Sequence, residues 1–143
     1  MFGMTLKEAK RGFFDRKKVQ RSVDTATRRV LSRFGAFVRT RARTSIRKRT
    51  GTSPPGRPPY SHVGLLRRLI FFAYDRRRRS VVVGPVLIRR DSQAPELLEH
   101  GGQTLVRTGG RRGRLRYRPR PYMGPAFERE QQNLSALWRD SIR

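Results

Sequence analysis

The chain has 143 residues, of which 35 are Lys or Arg and 10 are Asp or Glu, so its formal net charge at pH 7 is +25. A chain of this length is expected to form a single domain over residues 1–143 with one small hydrophobic core. The absence of cysteine excludes disulfide scaffolds, cysteine-ligated zinc sites and thiol catalysis. No apolar run approaches the roughly 18 residues of a membrane-spanning helix, and the N-terminal segment lacks the apolar stretch of a signal peptide. We therefore expect no membrane partner and a protein that is made and assembled inside a cell.

The positive charge is unevenly distributed. It is densest in residues 1–52, whereas most acidic residues lie in residues 91–143. Arginine predominates over lysine, and a guanidinium binds phosphate and carboxylate groups in bidentate geometry. A GC-rich genome and a solvated surface would explain part of this composition. Because so much like charge on a small domain is self-repelling, we expect a polyanion or an acidic protein neighbour to bind it.

Helical signals dominate the first third of the chain. Within an N-terminal extension (residues 1–16), a Thr-x-x-Glu capping box predicts a short helix over Thr5–Phe14. Asp15 can cap a longer amphipathic helix that ends near Arg47. Apolar residues at intervals of three to four predict its buried face: Val19, Val23, Ala26, Val30, Phe34 and Phe37. Three more apolar residues drift off this stripe and predict a bend or an early end: Val38, Ala42 and Ile46. The opposite face carries arginines expected to contact DNA or a partner protein: Arg28, Arg29, Arg33, Arg39 and Arg43.

Residues 50–61 contain four prolines and two glycines. Proline fixes φ and favours extended geometry in the preceding residue, so this segment is predicted to be a stiff, extended arm. A plain loop is the alternative. Twelve residues without regular structure in a small domain usually contact a neighbour, and the residues expected between subunits are Pro54, Pro55, Pro58, Pro59 and Tyr60.

The remaining segments predict a small antiparallel sheet of three to four strands and a C-terminal helix, which makes the fold class α+β. After Gly64, a helical turn is expected to continue into a strand. A turn with four candidate contact residues follows: Arg76, Arg77, Arg78 and Arg79. The β-branched run after it predicts a strand that Gly84-Pro85 ends. Residues 94–100 predict a short helix that Gly101 stops.

Residues 104–120 predict an extended hairpin with a Gly/Arg tip. Its candidate contacts for DNA or a partner are Arg111, Arg112 and Arg114. Gly124-Pro125 is expected to open the last helix, with a buried face of Phe127, Leu134, Leu137, Trp138 and Ile142.

No catalytic or metal-binding constellation is recognisable. The segment Glu96–His100 resembles a metalloprotease motif in which Glu replaces the first histidine, so a zinc site is not expected. Nucleophile-elbow, Walker and dinucleotide-binding motifs are absent. We therefore expect neither enzymatic activity nor a cofactor.

Two non-enzymatic classes remain. A sequence-independent nucleic-acid-binding protein of ribosomal or nucleoid type needs only accessible Arg and Lys, and no base-reading motif is recognisable. A structural assembly subunit is favoured by the stiff arm, the hairpin and the opposite charge bias of the two ends. In a head-to-tail ring, arginines of one copy would meet the acidic surface of the next, including Glu96 and Glu99.

Five sequence elements occur in an order typical of one known family. They are the Arg-rich stretch that ends in Thr50-Gly51, Gly64-Leu-Leu-Arg-Arg-Leu-Ile70, Val81-Val-Val-Gly-Pro85, Leu98-Glu-His-Gly101 and Arg120-Pro-Tyr-Met-Gly-Pro-Ala126. The chain thereby resembles the neck, or tail-completion, proteins of long-tailed bacteriophages, typified by the gene-ten product of lambdoid siphophages. The resemblance spans roughly residues 20–140. A longer proline segment at 53–59 and a higher net charge depart from the family pattern.

The resemblance implies a non-enzymatic virion protein at the head–tail junction, assembled in the host cytoplasm. The implied partners are other copies in a ring of six or twelve, and neck proteins of the head-closure or adaptor type and of the tail-terminator type. Non-specific contact with genomic DNA is also implied. No catalytic residue or cofactor carries over. Leu98, Tyr122 and Phe127 are expected in the core.

Overall fold

The structure is a computed structural model that describes Lys7, residues 15–87, residues 92–139 and Ser141. The elements in chain order are helices α1 (Arg16–Ser45) and α2 (Leu65–Arg68), strands β1 (Ile70–Asp75) and β2 (Ser80–Pro85), helix α3 (Ala94–His100), strands β3 (Gly102–Thr108) and β4 (Arg111–Tyr117), and helices α4 (Met123–Gln131) and α5 (Leu134–Arg139). The α+β class is confirmed. The helix predicted over Thr5–Phe14, except for Lys7, and the predicted core residue Ile142 lie outside the described residues.

Helix α1 is the element on which the others pack, and it contacts α2, β1, β2, α4 and α5. Asp15 caps it as predicted, because its Oδ1 accepts a hydrogen bond from the Lys18 backbone N at 3.2 Å. The buried row recurs at every fourth residue: Ala26, Val30, Phe34, Val38 and Ala42, followed by Ile46.

The predicted stripe of α1 was therefore wrong at its edges. Val19, Val23 and Phe37 are at least 42% exposed. A row of i+4 positions advances about 40° around the helix at each step, so it winds away from a strict 3.6-residue stripe. The elements that cover α1 follow this oblique ridge. Val38, Ala42 and Ile46, which the sequence analysis placed off the stripe, thus lie in the core.

Two separate two-stranded sheets replace the predicted sheet of three to four strands. Strands β1 and β2 pair antiparallel from Ile70↔Pro85 to Asp75↔Ser80, and β3 and β4 pair from Gly102↔Tyr117 to Thr108↔Arg111. At the end of the first sheet, Pro85 has no N–H to donate, and the Ile70 carbonyl accepts a hydrogen bond from Arg39. That end therefore offers little to a third strand.

The core lies between α1, the start of β1 and α4. Its buried residues are Phe34, Val38, Ala42, Ile46, Ile70, Tyr122 and Ala126. Leu98 is partly buried against this cluster, and Tyr122 is buried as predicted. Phe127 is 46% exposed and forms an edge-to-face pair with the core residue Phe34, with ring centroids 5.6 Å apart. Its prediction as a core residue was wrong.

Gly35 sets the distance between α1 and the first hairpin. A Cβ atom at this position would lie 2.6 Å from Val81 Cγ2 and 3.0 Å from Phe72 Cδ2. Such separations are shorter than van der Waals contact, so the hairpin packs closely only because position 35 has no side chain.

The segment 50–61 is a loop packed against its own domain and does not extend as an arm. The backbone N of Gly56 donates to the Pro119 carbonyl at 2.9 Å, and that of Ser61 donates to the Arg47 carbonyl at 3.0 Å. Ser53, Pro59 and Ser61 are buried. The ring of Pro59 is apolar, and its burial against the domain favours this closed path over an extended one.

Two helices replace the single C-terminal helix of the prediction. Helix α4 begins at Met123 and α5 begins at Leu134. Between them, the backbone N of Asn133 donates to the Glu130 carbonyl, a turn-type bond that interrupts the helical pattern. Asparagine is unfavourable inside helices and favourable at their N-termini, which explains a break at this position.

Candidate functional site

The arginines of α1 fall into two groups. Arg28, Arg29 and Arg33 are exposed. Arg39 is half-buried: its Nε donates to the Ile70 carbonyl at 3.0 Å, and its guanidinium lies 5.7 Å from the centre of the Phe71 ring. Arg43 is half-buried in the last turn of α1, where a cation is favourable for the helix dipole. Only the first group presents its charge fully to a partner.

The turn between β1 and β2 places Arg76–Arg79 at the surface in a fixed conformation. Asp75 Oδ1 accepts hydrogen bonds from the backbone N of Arg77 at 2.8 Å and of Arg78 at 3.2 Å. Such a side-chain bond to the following backbone holds a turn in place. Arg79 closes the turn with φ +50° and approaches Asp24 of α1, with 3.3 Å between its guanidinium and Oδ1.

These contacts bring two of the predicted arginine clusters together, although they are about fifty residues apart in the sequence. The open groove between α1 and the turn has a volume of about 360 Å³. Its lining residues are Asp24, Thr25, Arg28, Tyr74, Arg76 and Arg79. We call it the α1–turn groove. It contains three guanidinium groups and one carboxylate, a composition suited to binding an anion.

The hairpin of β3 and β4 presents a second cationic surface. Gly109 and Gly110, with φ of +59° and +79°, form its two-residue turn, as the predicted Gly/Arg tip requires. Arg112, Arg114 and Arg116 lie on one face of the hairpin, because alternate residues of a strand point to the same side. Arg111 flanks the turn. All of the arginines of β4 are exposed.

The proline loop is only partly available to a partner. Pro54 and Pro55 are exposed, and Pro58 and Tyr60 are half-buried. Pro59 is fully buried inside this chain, so it cannot contact another subunit without local unfolding. The guanidinium of Arg49 lies 5.6 Å from the centre of the Tyr60 ring.

The two glutamates predicted between subunits have different surroundings. Glu96 is exposed on α3. The carboxylate of Glu99 accepts hydrogen bonds from the backbone N atoms at the start of α4: Tyr122 at 2.9 Å, Met123 at 3.0 Å and Gly124 at 2.7 Å. Glu99 therefore caps a helix of its own chain. Burial, and secondly the charge of Glu99, raise the pKa of Tyr122 to about 12.

Three further contacts were missed from the sequence. Arg41 forms an ion pair with the buried carboxylate of Glu130. Arg120 Nε donates to the Ser53 carbonyl at 2.8 Å, and the Arg120 backbone N donates to the Leu98 carbonyl at 2.6 Å. The partners are far apart in the sequence, so no local pattern pairs them. A charged residue beside an apolar stripe, as Arg41 is, was the one available signal for a buried ion pair.

No group of three or more His, Cys, Asp or Glu residues that could hold a metal ion is found in the part of the chain that the structure describes. None of the helices in that part is long and apolar enough to cross a membrane. No protein-family model matches the chain, and no curated protein or solved structure does either.

Proposed function

We propose that the protein is a structural virion subunit of the head–tail junction, a neck, connector or tail-completion component that helps to join the tail to the DNA-filled head. In this proposal it acts as a ring of six or twelve copies and contacts other neck proteins. The sequence resemblance supplies this role.

The observation that carries the proposal is that sequence elements shared with the neck-protein family contact one another in the structure. Glu99, from the Glu-x-Gly element, caps the helix that follows Arg120-Pro-Tyr122. Arg120 in turn binds the carbonyls of Leu98 and Ser53, and Ser53 lies just after Thr50-Gly51. Three of the five elements are thus connected by hydrogen bonds in the folded chain, so their order in the sequence has a structural basis.

The other two elements frame the same core. Ile70 ends the Gly64–Ile70 element and is fully buried, and Val81 and Val83 of the Val-Gly-Pro strand pack against the core cluster. Around this core, cationic side chains project from a helix, a turn and a hairpin. Several separate binding surfaces on one small core suit a subunit that contacts several neighbours.

The test is quantitative mass spectrometry of purified, nuclease-treated phage particles that encode the chain, with emptied heads and tails analysed separately. We expect a fixed copy number of about six to twelve in joined particles. A phage that lacks the gene should yield separate heads and tails, and the wild-type gene supplied in trans should restore joining. Absence of the protein from joined particles would refute the proposal.

The α1–turn groove favours a second candidate, a sequence-independent nucleic-acid-binding protein of ribosomal or nucleoid type. Such a protein would be recovered on cellular nucleic acid and would be absent from particles. The same mass spectrometry, applied to the nucleoid and ribosome fractions of infected cells, separates the two candidates.

A further inference from the structure

Most of the acidic residues that the structure describes make contacts within their own chain. Of the seven carboxylates in the described residues, five make structural contacts. Asp15 and Glu99 cap helices, Asp24 and Glu130 bind arginines, and Asp75 holds the turn. Glu96 and Glu128 remain as exposed carboxylates for which that part of the chain shows no such contact.

This distribution decides which kind of partner fits the α1–turn groove. In the described part of the chain, a second copy would bring two unengaged carboxylates and many exposed arginines, so the charge of these residues would oppose its approach. A polyanion has the complementary charge. Duplex DNA carries one negative charge per roughly 1.7 Å of helix axis, and sequence-independent contact with it needs only positioned cations.

The groove also lacks the features of other nucleic-acid sites. Tyr74 is the one aromatic residue that lines it, and it is half-buried, so there is no platform on which unpaired bases would stack. The turn backbone is fixed by the two hydrogen bonds to Asp75, so little ordering of the turn is needed on binding.

We propose that the α1–turn groove, with the adjoining exposed side chains of Arg77 and Arg78, binds the phosphodiester backbone of duplex DNA without reading its sequence. The inference rests on the proposed function only in identifying that duplex with the genome that enters or leaves the head. Arg39 takes no part, because its guanidinium is engaged by Ile70 and Phe71.

The test is fluorescence anisotropy of the full chain with a labelled 30-base-pair duplex of random sequence, titrated between 50 and 200 mM salt. The variant Arg76→Gln/Arg77→Gln/Arg78→Gln removes three exposed charges from the turn. If each arginine binds one phosphate, the slope of log affinity against log salt falls by about 2.7. The wild type should then lose about 40-fold more affinity than the variant over this salt range.

The matched control removes the same charge elsewhere. Arg112→Gln/Arg114→Gln/Arg116→Gln neutralises three exposed arginines on the hairpin, and we expect it to leave the salt slope near the wild-type value. Circular dichroism should show native spectra for both triple variants. Equal loss in the two variants would mean diffuse charge attraction and would overturn the assignment to the groove, as would the absence of binding to the duplex.

Two further measurements test the chemistry of the site. Asp24→Asn should tighten DNA binding, because it removes the one carboxylate of the groove and frees Arg79. Glu128→Gln, which removes an exposed carboxylate from α4, should tighten it less. Poly-L-glutamate at equal charge concentration should compete poorly. Full competition would mean a carboxylate-bearing protein partner and would overturn the proposal.

The outcomes separate this inference from the proposed function. A chain that is present in joined particles and does not bind DNA contradicts only the inference. A chain that binds DNA through the groove and is absent from particles contradicts the proposed function.

Discussion

The hydrogen bonds of Glu99 are the most informative single feature to perturb, because they join α3 to the start of α4. Three backbone N–H groups at a helix N-terminus converge on one half-buried carboxylate. These groups have no partner within their own helix. The negative charge also interacts favourably with the helix dipole.

We expect Glu99→Ala to lower the free energy of unfolding by about 3 kcal/mol. Each hydrogen bond to a charged acceptor contributes about 1.5–3 kcal/mol, but bonds that share one carboxylate are not additive. In the variant, water reaches some of the vacated donors, so the expected loss is smaller than the sum of three separate hydrogen bonds. Glu99→Gln keeps one acceptor oxygen and should lose about half as much.

The measurement is urea denaturation followed by circular dichroism, with Glu96→Ala as the control. Glu96 lies on the same helix and is exposed, and its side chain makes no hydrogen bond within the part of the chain that the structure describes. Its variant therefore removes the same type of side chain without removing a cap. Its stability should stay close to that of the wild type. Equal stability of the Glu99 and Glu96 variants would show that the cap contributes nothing and would refute the reasoning.

Three other predictions test the packing and the electrostatics. Gly35→Ala should destabilise the fold by about 1–2 kcal/mol in the same assay, despite the better helix propensity of alanine, because its Cβ would collide with Val81. Gly113→Ala, where no atom lies within 4 Å of the added Cβ, should be neutral. The pKa of Tyr122 is raised to about 12 from an ordinary value near 10, so the stability this tyrosine contributes is present below pH 10 and is lost as the pH rises towards 12. By pH 11 about 1.4 kcal/mol should be lost in the wild type and not in Tyr122→Phe. Arg41→Ala should cost about 2–3 kcal/mol by leaving the Glu130 carboxylate buried without its partner, and a double-mutant cycle with Glu130→Gln should show strong coupling.

Elements specified by neighbouring residues were predictable. The cap at Asp15, the strand after Ile70, the four-arginine turn and the Gly109-Gly110 hairpin turn all depend on backbone preferences within a few residues. The buried row of α1 was not predictable in full, because the direction of the covering elements, and not helix period alone, selects its residues. The split into two sheets likewise depends on edge contacts between distant segments.

In the candidate site, too, features set by neighbouring residues were predictable and contacts between distant residues were not. Sequence showed that arginines would be abundant and which stretches would carry them. It did not show that Arg39 is engaged by β1, that Glu99 caps α4, or that Asp24 joins the four-arginine turn to α1. Each of these contacts links residues more than twenty positions apart, and only the fold brings them together.

The use of carboxylates within the fold has a consequence for assembly. Because most carboxylates in the described part of the chain are committed to caps, to a turn and to arginines, that part carries excess positive charge, and few of its carboxylates are left to neutralise another copy. Copies brought side by side in a ring would repel one another over a Debye length of about 8 Å at physiological salt. If the protein forms the proposed ring, an anionic component should favour its interfaces: DNA in the α1–turn groove, or an acidic face of a neighbouring protein. It follows that the purified chain should remain dispersed at low salt and assemble only when such a component is present.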